Sequence, residues 1–70
     1  MNARGGRYLW QGHVLYVTKL CGKWVAAYDG PCGERSFLMN SDLMPAKSRE
    51  EMQRALDFWA DKEGLEAWRG

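Results

Sequence analysis

The spacing of hydrophobic and polar positions changes once along the chain. Between residues 7 and 40 the apolar side chains come in four short runs, RYLW (7–10), HVLYVTKL (13–20), KWVAAYD (23–29) and RSFLMN (35–40). The runs are rich in β-branched and aromatic residues, which suit a pleated, half-buried surface. Glycine-containing breaks of two or four residues, QG, CG and GPCG, separate them, and these are hairpin lengths. The pattern predicts an antiparallel meander of three to four strands. After the proline-containing loop NSDLMPAK the spacing becomes helical. Met52, Ala55, Leu56, Trp59 and Ala60 fall on one face, and Glu50, Gln53, Arg54, Asp57 and Asp61 on the other. Ser48 and Glu51 have capping-box spacing, and Gly64 suits a left-handed stop with Leu65 folding back onto Trp59 or Ala60. A helix over residues 49–63 follows, with a short tail after it held by Trp68.

The predicted fold class is therefore α+β, in the order β-β-β-β-α, with one C-terminal helix packed on one face of the meander. Residues 1–6, polar and glycine-rich, form a loose arm in this scheme, and residues 7–70 form a single small domain. A hairpin closed by Cys21 and Gly22 sets Leu20 opposite Lys23, Val17 opposite Ala26 and Leu15 opposite Tyr28. Carried through the other breaks, this register places Tyr8, Leu15, Val17, Trp24, Ala26 and Tyr28 under the helix, together with Trp10, Phe37 and Met39. The opposite face receives Arg7, Leu9, Val14, Tyr16, Thr18, Lys23, Val25 and Leu38. One helix covers one face, so Leu9, Val14, Tyr16, Val25 and Leu38 form an apolar patch with basic residues near its edge. Exposed patches of this kind on small proteins mark contact surfaces. The competing arrangements are a sheet curled into a small barrel, or a tail over residues 65–68 that covers part of the face.

Composition narrows what such a domain can do. Seventy residues make one domain near the lower limit for a self-sufficient core, and four Trp, three Tyr and two Phe supply much of its buried area. No window approaches eighteen consecutive apolar residues, and the first ten residues lack a signal-peptide core, so a soluble, cytoplasmic protein without membrane association is expected. Residues 1–47 carry six basic and three acidic residues, and residues 48–70 carry four and six. This asymmetry falls short of the dense basic stripe of most nucleic-acid binders.

Candidate chemistry is sparse. His13 is the single histidine, which excludes a histidine pair or a multi-histidine metal site within one chain. Ser36, Ser41 and Ser48 have no base nearby in sequence. Glu50 and Glu51 suit the dipole of a helix start and, being adjacent on a helix, do not converge on one substrate. GPCGE lacks the Lys-Ser/Thr of a phosphate loop. Cys21 and Cys32 flank a strand about 20 Å long at 3.3 Å per residue, too far apart for a disulfide. His13, Asp29 and Cys32 offer at most three mixed ligands where structural zinc takes four. No catalytic residue, metal or cofactor is expected.

The layout, with W…A in one strand, RSF in the next and SREEM…L opening the helix, resembles the small arm-type DNA-binding domains of phage-type integrases. That resemblance spans roughly residues 8–62 and is one of topology. It implies a sheet laid in the major groove, with Arg7, Tyr16, Thr18, Lys23 and Val25 on the groove-facing side. Two functions follow as expectations. The first is a non-enzymatic module that binds a protein partner, or a second copy as a homodimer, through Leu9, Val14, Tyr16, Val25 and Leu38. The alternative is a DNA-binding accessory module of a phage or mobile element that uses Arg7, Lys19, Lys23 and Arg35.

Overall fold

A computed structural model describes residues 6–69. Of the arm expected over residues 1–6, the first five lie outside the described residues. Gly6 is buried, and its carbonyl accepts a hydrogen bond from Gln53 Nε2 at 2.9 Å. Four strands, β1 (Tyr8–Trp10), β2 (His13–Leu20), β3 (Lys23–Asp29) and β4 (Arg35–Leu38), precede one helix, α1 (Arg49–Glu63). The strands form one open antiparallel sheet in the order β1-β2-β3-β4.

Turn chemistry sets the register of each hairpin. Gln11 and Gly12, and again Cys21 and Gly22, have positive φ at both central positions, as a two-residue type I′ turn requires. The first turn closes on Trp10 opposite His13, and the second on Leu20 opposite Lys23. The third hairpin departs from the four-residue break that its sequence suggests. Gly33 N–H donates to the Gly30 carbonyl at 3.0 Å, Gly33 takes φ 85°, and Gly30 N–H donates to the Glu34 carbonyl at 2.7 Å. Gly30 and Glu34 thus face each other across a three-residue loop, Pro31 to Gly33. Asp29 consequently pairs with Arg35, and Ala26 with Leu38.

That one-residue difference turns every β4 side chain to the other face. Leu38, expected on the open face, packs instead against the core on the helix side. Phe37 and Met39, expected under the helix, are 39% and 46% exposed.

The core lies between the sheet and α1. Leu15 and Ala26 from the sheet and Met52, Leu56 and Ala60 from the helix are fully buried, with Tyr8 and Trp59 nearly so. Capping fixes both helix ends. Glu51 N–H donates to Ser48 Oγ at 3.1 Å. Gly64 at φ 72° ends the helix, with its N–H on the Asp61 carbonyl and Leu65 N–H on the Ala60 carbonyl at 2.8 Å. These two bonds form a Schellman motif, and Leu65 packs against the core as that motif requires.

Two segments outside the named strands complete the sheet. Asn40 Oδ1 accepts from the amides of Asp42 and Leu43 at 2.8 and 3.0 Å, a turn that drives Leu43 to full burial. The same loop brings Ala46 against Trp24, where two backbone hydrogen bonds of 2.8 and 2.9 Å extend the pairing of β3 beyond the end of β4. After the helix, Ala67 bridges Tyr8, Leu9 N–H donates to the Glu66 carbonyl, and Trp68 N–H donates to the Arg7 carbonyl. This tail therefore closes the outer edge of β1, as protected sheet edges commonly are.

A polar clamp joins β1 to the helix. Tyr8 OH donates to Asp57 Oδ1, which also accepts from Gln53 Nε2 at 3.1 Å. Burial, followed by the bond to Asp57, holds the Tyr8 phenol well above its ordinary range.

Two outcomes are expected. Leu43→Ala should cost about 2–5 kcal/mol in urea unfolding, a large part of the total for a domain of this size, whereas Met44→Ala, exposed on the same loop, should stay within about 0.5 kcal/mol. Because the folded Tyr8 pKa is raised, its contribution is fully present below the unfolded value near 10 and is lost as pH rises above it. The urea midpoint should thus fall between about pH 9 and pH 11, and fall less in Tyr8→Phe. An equal fall in both proteins would remove Tyr8 as a source of the alkaline sensitivity.

Candidate functional site: the open sheet face

With the helix on one side, the opposite side of the sheet is left to its own side chains. The register arranges them in rows across the strands. Arg7, Tyr16, Ala27 and Phe37 make one row, and Trp68 lies beside Arg7 through the tail pairing. Leu9, Val14, Asp29 and Arg35 make the next. Thr18 with Val25, and Leu20 with Lys23, make the last two.

Burial is uneven over this surface. Leu9 and Phe37 are 37% and 39% exposed, and Val14, Tyr16, Thr18 and Leu20 are half-buried. Val25 and Ala27 are buried although the helix is on the far side. Ala27 is small and flanked by the larger cross-strand neighbours Tyr16 and Phe37, and Val25 pairs with Thr18, a side chain of about its own size. Val25 therefore belongs to the floor of the face rather than to the contact surface expected for it. Of the five apolar residues expected to meet a partner, Leu9, Val14 and Tyr16 lie on the accessible surface, Val25 lies beneath it, and Leu38 is replaced by Phe37.

The basic residues divide in the same way. Arg7, Lys23 and Arg35 share the open face and are exposed. Lys19 does not share it. It pairs with Trp24, a residue packed against the helix-side core, and its ammonium sits 5.8 Å from the centre of that ring.

Arginine and aromatic side chains alternate on the open face. The Arg7 guanidinium lies over the Trp68 ring and that of Arg35 over the Tyr16 ring, each 5.8 Å from the centroid. Both distances are within cation–π range. Tyr16 OH donates to Asp29 Oδ1 at 2.8 Å, while Arg35 Nε stands 4.0 Å from the same oxygen, the outer limit of an ion pair. Both charged side chains are about half exposed, so this pair adds little stability. Burial and then the bond to Asp29 raise the Tyr16 pKa, with Arg35 acting partly against them. The hydroxyl thus stays a donor to Asp29 at neutral pH.

A hollow of about 510 Å³ opens here. Arg7, Val14, Tyr16, Asp29, Arg35 and Trp68 line it, together with Gly12 and His13.

The His13 ring rests 4.8 Å from that of Tyr28 and 6.5 Å from that of Trp10. Asp29 is engaged by Tyr16, and Cys21 and Cys32 are exposed and unbridged in separate turns. Among the described residues no group of three or more His, Cys, Asp or Glu is placed to hold a metal ion, and no helix is long and apolar enough to cross a membrane.

Phe37, expected under the helix, joins the open face, and Trp68 reaches it as in the competing arrangement with a tail over residues 65–68. The signal for Phe37 was present in Pro31-Cys32-Gly33, which suits a three-residue loop ending in a left-handed glycine. Trp68 reaches the site through backbone pairing of the tail, which has no local sequence signature. Compared with protein-family models, with curated proteins and with solved structures, the chain matches none.

The β4 register can be tested directly. Leu38→Glu puts a charge on the core side and should unfold the domain, read as loss of the near-ultraviolet circular dichroism of its aromatic residues. Phe37→Glu should leave that spectrum intact. The opposite ranking would restore the four-residue loop.

Proposed function

We propose that this chain is a small non-enzymatic binding module that docks a protein partner on the open face of its sheet. One observation carries the reading. The sheet is packed by a helix on one side only, and its other side presents Leu9, Val14, Tyr16 and Phe37 among exposed arginines. Tyrosine, tryptophan, phenylalanine and arginine are the residues enriched in protein interfaces.

The size of the face limits the partner. Strands of three, eight, seven and four residues, rising about 3.3 Å per residue and lying about 4.8 Å apart, span roughly 350 Å². A stable interface buries about 800 Å² per partner. A symmetric dimer through this face would also bring Arg7, Lys23 and Arg35 of two copies together. An extended segment of another protein fits the area and the charge better than a second copy does.

A second reading rests on the interleaving of Arg7 and Arg35 with Trp68, Tyr16 and Phe37, because nucleic-acid platforms combine stacking rings with cations. It extends to the integrase-like DNA-binding module of a phage or mobile element. Three basic residues on the face, beside Asp29, are few for phosphate-driven affinity.

Site-specific cross-linking separates these readings. A photoreactive benzoyl-phenylalanine in place of Phe37 should form a discrete protein adduct in cells, and Tyr16→Glu should abolish it. The same group in place of Phe58, 66% exposed on the helix, should not form that adduct. Equal adducts from both positions would count against the open face. A polarisation change with short single-stranded or duplex DNA at about 50 mM salt, lost in Arg35→Gln, would favour the second reading.

A further inference from the structure

We propose that the hollow between Arg7 and Arg35 receives a carboxylate, the Asp or Glu side chain of an extended partner segment whose apolar neighbours rest on Leu9 and Phe37. The inference depends on the open face being a protein-docking surface, and it specifies the partner's chemistry.

Both guanidiniums are already oriented. Each lies over an aromatic ring, Arg7 over Trp68 and Arg35 over Tyr16, so part of the cost of ordering a long side chain is met before a ligand arrives. At 5.8 Å from the ring centres, the planar guanidinium forks keep N–H groups that can grip a planar carboxylate with two bonds. The anions present do not use this capacity. Asp29 accepts from Tyr16 OH and stands 4.0 Å from Arg35 Nε, and among the described residues no carboxylate lies within 4.0 Å of Arg7. Two arginines against one aspartate leave the lining with an excess of positive charge.

The same lining favours a carboxylate over a phosphate chain. Asp29 would face the repeated charges of a nucleic-acid backbone at close range, whereas a single acidic side chain can approach the arginines and leave Asp29 to Tyr16. Val14 within the hollow and Leu9 beside it in the same row provide apolar contact for the residues next to that acid. At about 510 Å³ the hollow has room for one carboxylate side chain with part of its backbone.

The test is selection of displayed random octapeptides on the whole protein, followed by titration of a synthetic selected peptide. Selected sequences should share one Asp or Glu flanked by apolar residues. Exchange of that acid for its amide should weaken binding about tenfold, as loss of a charge-assisted pair predicts. Arg7→Gln and Arg35→Gln should each reproduce the loss, Arg35→Lys should restore part of it, and Phe37→Ser should remove binding by all selected peptides. Circular dichroism of each variant confirms folding.

Selected peptides with no acidic requirement, yet still lost in Phe37→Ser, would overturn the carboxylate and leave the docking face standing. No selection, or binding indifferent to Phe37→Ser, would overturn the docking face itself. A short oligothymidylate that binds more tightly than any selected peptide, and is lost in Arg7→Gln, would overturn both in favour of nucleic acid.

Discussion

A helix of fifteen residues has one apolar stripe, and a sheet has two faces. The organisation of this domain follows from that mismatch. Met52, Leu56, Trp59 and Ala60 satisfy one side of the sheet and fix the helix against Leu15 and Ala26. The other side has to become tolerable to water by its own means. It does so by burying Val25 and Ala27 at the centre and placing amphipathic residues around them. Tyrosine, tryptophan and arginine can each cover an apolar neighbour while keeping a polar end wet. The features that make the face tolerable in isolation are also those that make it adhesive.

The polar interactions divide along the same line. Tyr8, Gln53 and Asp57 make a half-buried clamp on the helix side that holds β1 in place. Tyr16, Asp29 and Arg35 make a looser group on the open side, half exposed and only partly paired. Both groups place a tyrosine hydroxyl on an aspartate. Their different surroundings make one a structural fastener and the other a polar border to a hollow.

Most of the architecture was legible because it depends on local rules. Period-two and period-3.6 patterns marked the strands and the helix, the QG and CG turns set two of three registers, and Ser48 and Gly64 marked the helix ends. The third register failed because GPCG can be closed as four loop residues or as three plus a paired glycine, and the hydrophobic pattern of RSFLMN is apolar on both faces from Phe37 onward. Periodicity could not arbitrate, and the turn decided. Leu43 and Ala46 were missed for a different reason. A loop that contains proline and polar residues looks solvent-exposed, but an Asx turn at Asn40 redirects it inward. The candidate site was legible to the extent that register was: Leu9, Val14, Tyr16 and Arg7 depend on registers that held, whereas Leu38 depended on the one that failed, and Arg35 reaches the open face through the β4 register that replaced it.

The pairing of residues 66–68 with β1 has a thermodynamic side. This segment is attached by two backbone hydrogen bonds, Leu9 to Glu66 and Trp68 to Arg7, and by the small side chain of Ala67 against the core. It therefore belongs to the low-stability end of the local opening spectrum, where short stretches detach without global unfolding. Trp68 is at the same time a wall of the hollow and the ring on which Arg7 lies. The fraction of molecules with the segment attached multiplies the intrinsic affinity of the hollow for any occupant. By reciprocity, an occupant suppresses detachment by the ratio of its affinities for the attached and detached forms, so that a weakly held stretch of backbone sets the gain of the surface it borders.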